Sequence, residues 1–274
     1  MTDLNQVLVL ITGADGGFGR QMTRQFLAAG SRLILSDIDE RRLSALKADL
    51  DAAPGKIQAS IAADLSGEDG CQLLFDEVVK NVAIPDVIVN NAGVGVGGRF
   101  DHVPRDRWEQ LMQINLLAPM RLCHLFLPHL IERRSGHIVN ISSIAGWVGS
   151  KGLSSYCSAK YGLRGFSEAL SGDLEEFDVH VTTVFPFFSR TPILDSDQFG
   201  YEERREIPDD MATDPADVVA AIIKGVRRNR KHVFPDRTAK QIHYITRFLP
   251  WLVPLLNRRL EEKTKLNSIG TTNI

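Results

Sequence analysis

Residues 7–20 read VLVLITGADGGFGR, an apolar run that passes directly into a turn with four glycines. The run Val7–Ile11 is short and rich in branched side chains, as buried parallel strands are. Glycines at 13, 17 and 19 let the backbone turn tightly and approach a pyrophosphate, whose charge then faces free N–H groups at a helix N-terminus. The stretch predicts a strand, a dinucleotide-binding turn and a helix over 18–29.

The same alternation of short apolar runs and helix-period segments continues along the chain. Further strands are expected at 32–36, 57–62, 87–89, 137–141, 179–185 and 232–234, and further helices at 40–51, 67–80, 105–131, 154–176 and 215–227. This order predicts an α/β fold, a doubly wound (Rossmann) parallel sheet with helices on both faces. We expect a catalytic domain over 1–235, with a lid at about 192–214, and a basic, amphipathic helical extension over 236–274.

Composition excludes several classes of protein. The 274 residues are 43% apolar and 24% charged, and the three cysteines form no close pair, which argues against a disulfide scaffold or a metal site. A net charge of −2 gives no basis for nucleic-acid binding. The start of the chain has no signal-peptide pattern, and the apolar window 248–256 is far shorter than the roughly 20 residues of a spanning helix. We expect a cytoplasmic protein without a transmembrane helix.

An acidic residue follows the second predicted strand. Asp37 lies eighteen residues after Gly19, where a carboxylate would bind the adenosine ribose hydroxyls and repel a 2′-phosphate. NAD is therefore favoured over NADP. The alternative is that Asp37 only caps the next helix, with Arg41 or Arg42 holding a phosphate.

A tyrosine and a lysine lie one helical turn apart in the predicted helix 154–176. Tyr156 and Lys160 share a helix face, so an ammonium is expected beside a phenol, lowering the tyrosine pKa from its usual value. Ser143 follows the strand 137–141, at the sheet edge where such folds bind ligands, and its hydroxyl would bond a substrate oxygen. The three side chains predict acid–base chemistry on an alcohol or a carbonyl.

These motifs together resemble the short-chain dehydrogenase/reductase family. They occur in the family's order: Thr12-Gly13-x-x-x-Gly17-x-Gly19, Asn90-Asn91-Ala92-Gly93, Asn115, Ser143 and Tyr156-x-x-x-Lys160. The resemblance implies that Tyr156 is the general acid/base, that Ser143 polarises the carbonyl, that Lys160 tunes Tyr156 and binds the nicotinamide ribose, and that Asn115 supports a proton relay. The implied cofactor contacts are Gly13, Asp15, Gly17, Phe18, Gly19, Asp37, Asp64, Leu65, Asn91, Ala92, Gly93, Tyr156, Lys160, Pro186 and Thr191. The family also implies a homodimer or homotetramer through the helices 105–131 and 154–176.

Several of these residues have simpler interpretations. The alternatives are that Asn115 simply satisfies a backbone group within a buried helix, that Asn90 and Asn91 are turn residues without a ligand, and that Asp64 is only a helix cap. Phe187 stands where the family usually has glycine after Pro186, which constrains the backbone and adds a ring beside the expected nicotinamide.

The residues expected around a substrate are mostly apolar. Besides Ser143 and Tyr156 they are Val94, Val96, Ala145, Trp147, Val148, Phe187 and Phe188, with Phe199 and Tyr201 in the lid. With no convergent Arg or Lys, the lining favours a lipophilic secondary alcohol or ketone of the steroid, retinoid, lipid or aromatic class. The alternative is that the rings only pack the lid.

The last fifth of the chain is basic. Residues 227–274 carry 11 Lys/Arg and 3 Asp/Glu, a net charge of +8, which leaves −10 for residues 1–226. Aromatic residues among the cations of 242–265 suit a helix on an anionic membrane, whereas a subunit interface or a cover for the pocket are competing roles. For the whole chain we expect an NAD-linked oxidoreductase; the alternative is a non-catalytic dinucleotide-binding sensor or membrane scaffold.

Overall fold

A computed structural model describes residues 2–50, 55–201 and 206–264, and strands and helices alternate through most of them. The strands are β1 (Leu8–Thr12), β2 (Arg32–Asp37), β3 (Lys56–Ala62), β4 (Val87–Asn90), β5 (Gly97–Gly98), β6 (Gly136–Ile141), β7 (Val179–Val184), β8 (Gln198–Phe199) and β9 (His232–Val233). The α-helices are α1 (Gly17–Ala28), α2 (Glu40–Ala48), α3 (Glu68–Asn81), α4 (Arg105–Met112), α5 (Ala118–Glu132), α6 (Ser154–Asp173), α7 (Pro215–Arg227), α8 (Arg237–Phe248) and α9 (Val253–Lys263).

Seven of the strands form one parallel sheet in the order β3-β2-β1-β4-β6-β7-β9. The chain runs outward from β1 to β3 and then crosses to β4 on the other side of β1. This change of direction leaves a crevice at the carboxyl ends of β1 and β4, where open α/β sheets bind their ligands. The expected doubly wound α/β fold is confirmed.

The core lies on both faces of the sheet because the strands are apolar at successive positions. On β1, Val9 and Ile11 belong to one buried cluster, whereas Leu8 and Leu10 belong to the other. The first cluster includes apolar side chains of α1 and α7, and the second includes those of α3, α5 and α6. A strand buried on both faces places its end rigidly, which is what a site at that end requires.

Two segments differ from the expected elements. The helix expected over 105–131 is interrupted by a π-helical turn at Gln113–Leu117, between α4 and α5. The expected lid contains a 3-10 turn at Pro192–Asp195, and β8 pairs with β5 in a separate two-stranded sheet. This pairing anchors Gln198–Phe199 of the lid, and a bridge between Ser189 and Thr213 holds the end of its second described part, 206–214. Residues 202–205 of the expected lid lie outside the described residues, as do 265–274 of the extension.

Candidate active site

The carboxyl ends of the central strands border a cleft of about 730 Å³. Most of the site residues predicted from the sequence line it. They are Gly13, Asp15, Gly17, Phe18, Asp37, Asp64, Leu65, Asn91, Ala92, Gly93, Ser143, Tyr156, Lys160, Pro186, Phe187, Phe188 and Thr191. Gly19, Asn115 and Trp147 do not line it, although they were predicted with the others.

The glycine turn after β1 is fastened to the end of β4. The Asn91 side-chain amide donates to the carbonyl oxygens of Thr12 and Gly13, both at 2.9 Å. Gly13 has a φ of +62°, and a Cβ atom there would lie 2.8 Å from the Cα of Ala92. Only glycine allows this approach, so the two loops form one rigid floor for the cleft.

The start of α1 fits a dinucleotide phosphate. Gly16 at the N-cap offers no side chain to the first helical turn, so that turn's N–H groups remain available to an anion. A Cβ atom at Gly17 would overlap the Thr191 methyl group, which lies across the turn. Gly19 is buried behind the turn, where a Cβ atom would overlap the Gly13 carbonyl oxygen. Gly19 therefore shapes the turn without facing the cleft.

The Asp37 carboxylate is held at the cleft edge by two backbone amides. The Asp15 amide donates to Oδ2 at 2.9 Å, and the Ile38 amide donates to Oδ1 at 2.8 Å. Arg42 also borders the cleft, but its Nε lies 3.4 Å from a carboxylate oxygen of Asp15, which also pairs with Arg20. The carboxylate is therefore fixed in place, whereas the nearby arginine already has an acidic neighbour.

The Asp64 carboxylate has a local partner as well as a place in the cleft. Its Oδ1 accepts a hydrogen bond from the Ser66 amide at 2.9 Å, just before α3 begins. This bond to the amide two residues further on closes a turn before the helix; the N-cap of α3 is Gly67, so the interpretation of Asp64 as a helix cap was wrong.

Three side chains that were predicted to act together meet beyond the end of β6. The hydroxyl groups of Ser143 and Tyr156 are hydrogen-bonded to each other. Lys160 lies one turn further along α6, with its Nζ 5.6 Å from the centre of the Tyr156 ring, and it donates to the Ile141 carbonyl at 2.8 Å. The strand end and the helix thus place a serine, a tyrosine and a lysine at one corner of the cleft.

The acidity of this group differs from the sequence-based expectation. Burial raises the pKa of Tyr156 to about 12, and the hydrogen bond from Ser143 lowers it only in part. Burial also lowers the pKa of Lys160 to about 8. The prediction that the lysine lowers the tyrosine pKa was wrong for the protein alone: burial of the phenol dominates the shift, and Lys160 does not contribute to it.

Asn115 sits on the π-helical turn behind the cleft. Its side-chain oxygen accepts from the Val94 amide and its nitrogen donates to the Val94 carbonyl, both at 2.9 Å. A Cβ atom on Gly93 would lie 3.4 Å from the Asn115 oxygen and 3.8 Å from the Lys160 Nζ. Asn115 therefore fixes the loop after β4 next to Lys160, as the simpler interpretation predicts.

The opposite wall of the cleft depends on an aspartate that the sequence analysis missed. Asp236 is buried, and its carboxylate accepts from the Phe187 amide at 3.0 Å and from the Ala239 amide at 2.7 Å. Phe187 is not among the residues with positive φ, so its side chain is compatible with this backbone. An aspartate three residues before an apolar helical position is a signal for the start of a helix, and Asp236 and Ala239 have this spacing.

Trp147 requires a correction. It was predicted to contact substrate, but it packs under α8, with its ring centre 4.6 Å from that of His243 and 5.5 Å from that of Phe185. The Arg164 guanidinium lies 3.3 Å from the Trp147 ring centre. The ring therefore joins the extension to the domain, because α8 folds back over it, a long-range contact that local sequence patterns do not reveal.

The far wall contains further residues that the sequence analysis did not identify. Ile193, Leu194 and Ile207 line the cleft from the lid, and Ile242, Leu256 and Asn257 line it from the extension. Phe199, expected here, is not part of the lining. Arg107 and Lys151 also border the cleft, and Arg107 is paired with Asp197 at 2.6 Å.

One helical stretch among the described residues, Arg105–Glu132, is long and apolar enough to cross a membrane by length and composition alone. The sequence analysis did not single it out. Leu111, Leu122 and Phe126 of this stretch are fully buried in the domain, and a core helix passes the same test.

Comparison with known proteins shows which proteins this chain resembles in sequence and in fold. The chain is 33% identical to the probable oxidoreductase EphD of Mycobacterium tuberculosis over 258 residues, which cover 89% of this chain but only 43% of that longer protein. It is 30% identical to human epidermal retinol dehydrogenase 2, covering 91% of this chain and 80% of the relative. A metagenomic short-chain oxidoreductase solved with NADP superposes with a TM-score of 0.70 at 29% identity, covering 85% of this chain and 98% of the other.

The family model described as short chain dehydrogenase matches residues 7–200. That range contains the glycine turn, the Asn90–Gly93 loop, Ser143, Tyr156 and Lys160. The resemblance drawn from these motifs is confirmed: the chain belongs to the short-chain dehydrogenase/reductase family of NAD(P)-dependent oxidoreductases.

Proposed function

We propose that this protein is an NAD-linked dehydrogenase/reductase that interconverts a secondary alcohol and a ketone on a lipophilic substrate. The observation that carries the proposal is the hydrogen-bonded pair of Ser143 and Tyr156 hydroxyls beside Lys160 in the cleft. Because the chain spans less than half of EphD, its activity is argued here from its own site.

The three side chains divide the proton chemistry between them. When bound, a nicotinamide cofactor supplies or accepts the hydride. In reduction, the Tyr156 hydroxyl gives its proton to the substrate oxygen while Ser143 donates a hydrogen bond to the same atom; in oxidation, Tyr156 takes the proton back. Lys160, with a pKa of about 8, is mostly protonated at neutral pH and stabilises the phenolate that remains.

The choice of NAD over NADP rests on Asp37. The metagenomic relative was solved with NADP, so family membership alone does not decide between the cofactors. In this chain the Asp37 carboxylate lines the cleft with both oxygens bound to backbone amides, and there it would bind the adenosine ribose hydroxyls and repel a 2′-phosphate. The remaining cofactor contacts are the residues that the family resemblance implies. Among them, Gly19 shapes the glycine turn, and Pro186 and Thr191 lie on the side where the nicotinamide would bind.

The substrate class rests on the far wall. Apolar side chains of the lid and the extension, together with Val94, Val96, Val148, Phe187 and Phe188, surround the approach to Tyr156. This lining suits an apolar body with one hydroxyl or keto group, of the steroid, retinoid, lipid or aromatic type. The name of the retinol dehydrogenase relative is consistent with that class.

We also propose the setting in which the enzyme works. Residues 1–235 form the catalytic domain, and 236–274 form an extension whose described part covers the cleft. The protein is a cytoplasmic homodimer or homotetramer, assembled through α4–α5 and α6, and its extension reaches the membrane surface.

Two measurements test the proposal. Titration with NADH and NADPH, followed by cofactor fluorescence, should show tighter binding of NADH. A panel of lipophilic secondary alcohols and ketones should then contain a substrate that the protein oxidises or reduces. If the protein binds NADH but transforms no compound in the panel, the dehydrogenase is rejected in favour of a non-catalytic sensor.

A further inference from the structure

The C-terminal cap, residues 237–264, has two different faces. Its inner face packs Ala239, Ile242 and Leu256 against Ile144 and neighbouring side chains of the catalytic domain. The Asn257 side chain also donates to the Gly149 carbonyl at 3.1 Å. The cap is therefore part of the folded domain, and its inner face is a wall of the cleft.

The outer face of the cap is apolar and exposed. Tyr244, Phe248, Trp251 and Leu255 are 61%, 60%, 69% and 49% exposed, and Leu249 is 39% exposed. These are five of the eleven large apolar side chains exposed in the described residues, and they fall within twelve positions. Scattered apolar residues are ordinary on a surface, but a cluster of this kind marks an interaction site.

The same region carries an excess of positive charge. Residues 237–264 contain six Lys/Arg and two Glu, a net charge of +4, within a chain whose first 226 residues sum to −10. All six cations are exposed, and the Arg247 guanidinium lies 5.8 Å from the centre of the Phe248 ring. Aromatic rings among exposed cations are typical of surfaces that bind anionic lipid headgroups and insert rings at the interface.

The size of the patch favours a lipid surface over a protein partner. A stable protein interface takes about 800 Å² and roughly 20 to 30 residues from each side. The outer face offers five apolar side chains on two short helices and the 3-10 turn that joins them, whereas interfacial anchoring needs only a few aromatic side chains with cations beside them.

We propose that the outer face of the C-terminal cap docks on an anionic phospholipid bilayer. Tyr244, Phe248 and Trp251 enter the interface, and the surrounding cations contact the headgroups. Ile242 and Leu256, which line the cleft from the inner face of the cap, would then lie next to the lipid surface. Docking itself does not depend on the catalytic proposal; only the corollary, that an apolar substrate enters from the bilayer, rests on it.

The test is co-sedimentation of the full chain with two kinds of vesicle, phosphatidylcholine alone and phosphatidylcholine mixed with phosphatidylglycerol. We expect binding to the anionic vesicles and at least about tenfold weaker binding to the neutral ones. Phe248→Ser/Trp251→Ser should lose about tenfold or more of the anionic binding. The matched control, Leu73→Ser/Phe100→Ser, replaces two exposed apolar side chains outside the cap and should bind as the wild type does.

A second readout uses the unaltered protein. Tryptophan emission should shift to the blue on anionic vesicles, and Trp251→Phe should remove most of the shift while still sedimenting with the vesicles. The proposal is overturned if the wild-type protein sediments with neither kind of vesicle. It is also overturned if the Phe248→Ser/Trp251→Ser protein binds the anionic vesicles as strongly as the wild type does. Loss of an oligomer in that variant without any vesicle binding by the wild type also overturns the proposal, and would identify a second copy as the occupant. None of these measurements requires turnover, so failure here is distinct from failure of the catalytic proposal.

Discussion

The cleft has two walls of different origin. The near wall, formed by the glycine turn, the Asn91 loop, Ser143 and α6, sits at the ends of strands buried on both faces. The far wall, formed by Phe187, the lid and the C-terminal cap, depends on contacts between segments distant in the chain, such as the hydrogen bond that Asp236 accepts from the Phe187 amide. In the function proposed above, the near wall would set the chemistry and the cofactor, and the far wall would set which substrate fits.

The largest effect is expected from the near wall, at Tyr156. Tyr156→Phe removes the proton that the site gives to the substrate oxygen, so kcat should fall by about 10³-fold or more while NADH still binds. Tyr161→Phe, on the same helix but 41% exposed, is the matched control and should keep wild-type kcat. Comparable loss in both variants would mean that α6, not the phenol, is what the reaction needs.

The second prediction is that burial of Lys160 makes the free energy of unfolding depend on pH. Its pKa falls from 10.5 to about 8 in the folded protein, so the full penalty of a buried ammonium acts below pH 8. Between those values the unfolded chain binds more protons, and wild-type stability rises with pH. Lys160→Met has no such titration, so its stability relative to wild type should decline by about 3 kcal/mol from pH 7 to pH 10.5.

Denaturant unfolding at a series of pH values measures this difference. Lys80→Met, on the exposed surface of α3, controls for the loss of a lysine. A difference between wild type and Lys160→Met that stays constant with pH would show that Lys160 is not charged and buried at neutral pH.

The sequence predicted the near wall well, and the reasons are local. Parallel strands must end at one edge, and residues four apart on a helix must share a face, so sequence spacing alone brings Ser143, Tyr156 and Lys160 together. Asn115 is different: its position was predicted, but its bonds to Val94 depend on a π-helical turn without a local signal.

The far wall was predicted poorly because its contacts are long-range. Nothing near Trp147 in sequence indicates that His243, almost a hundred residues later, covers its ring. The prediction for the Tyr156 pKa was wrong for a related reason. The sequence shows that a lysine lies beside Tyr156, but it does not show how deeply the phenol is buried.

A third prediction concerns cofactor choice within the near wall. Asp37→Ser removes the charge that repels a 2′-phosphate, so the ratio of NADPH to NADH affinity should rise by about tenfold or more. Asp39→Ser is the matched control, since Asp39 caps α2 through the Arg41 amide and a serine keeps that capping ability. Unchanged preference in Asp37→Ser would assign the discrimination to other residues.

The smallest effect should come from the far wall. Asp236→Ala removes the acceptor for the Phe187 and Ala239 amides, so the KM for substrate should rise by a few fold while kcat changes little, and stability should fall by about 1 kcal/mol. Asp39→Ala removes the cap of α2, which lies outside the far wall, and should cost similar stability without changing the KM for substrate. A large fall in kcat with Asp236→Ala would contradict the assignment of the chemistry to the near wall alone.

In the proposed reaction, Tyr156, Ser143 and Lys160 carry out acid–base chemistry on a substrate oxygen during hydride transfer. The most direct measurement is mass spectrometry of products after incubation with deuterated NADH and a panel of lipophilic ketones. The account predicts one deuterium on the new carbinol carbon with wild-type protein, and none above background with Tyr156→Phe. Deuterium transfer that persists at the wild-type rate in Tyr156→Phe, or no transfer to any ketone by wild-type protein that binds NADH, would contradict it.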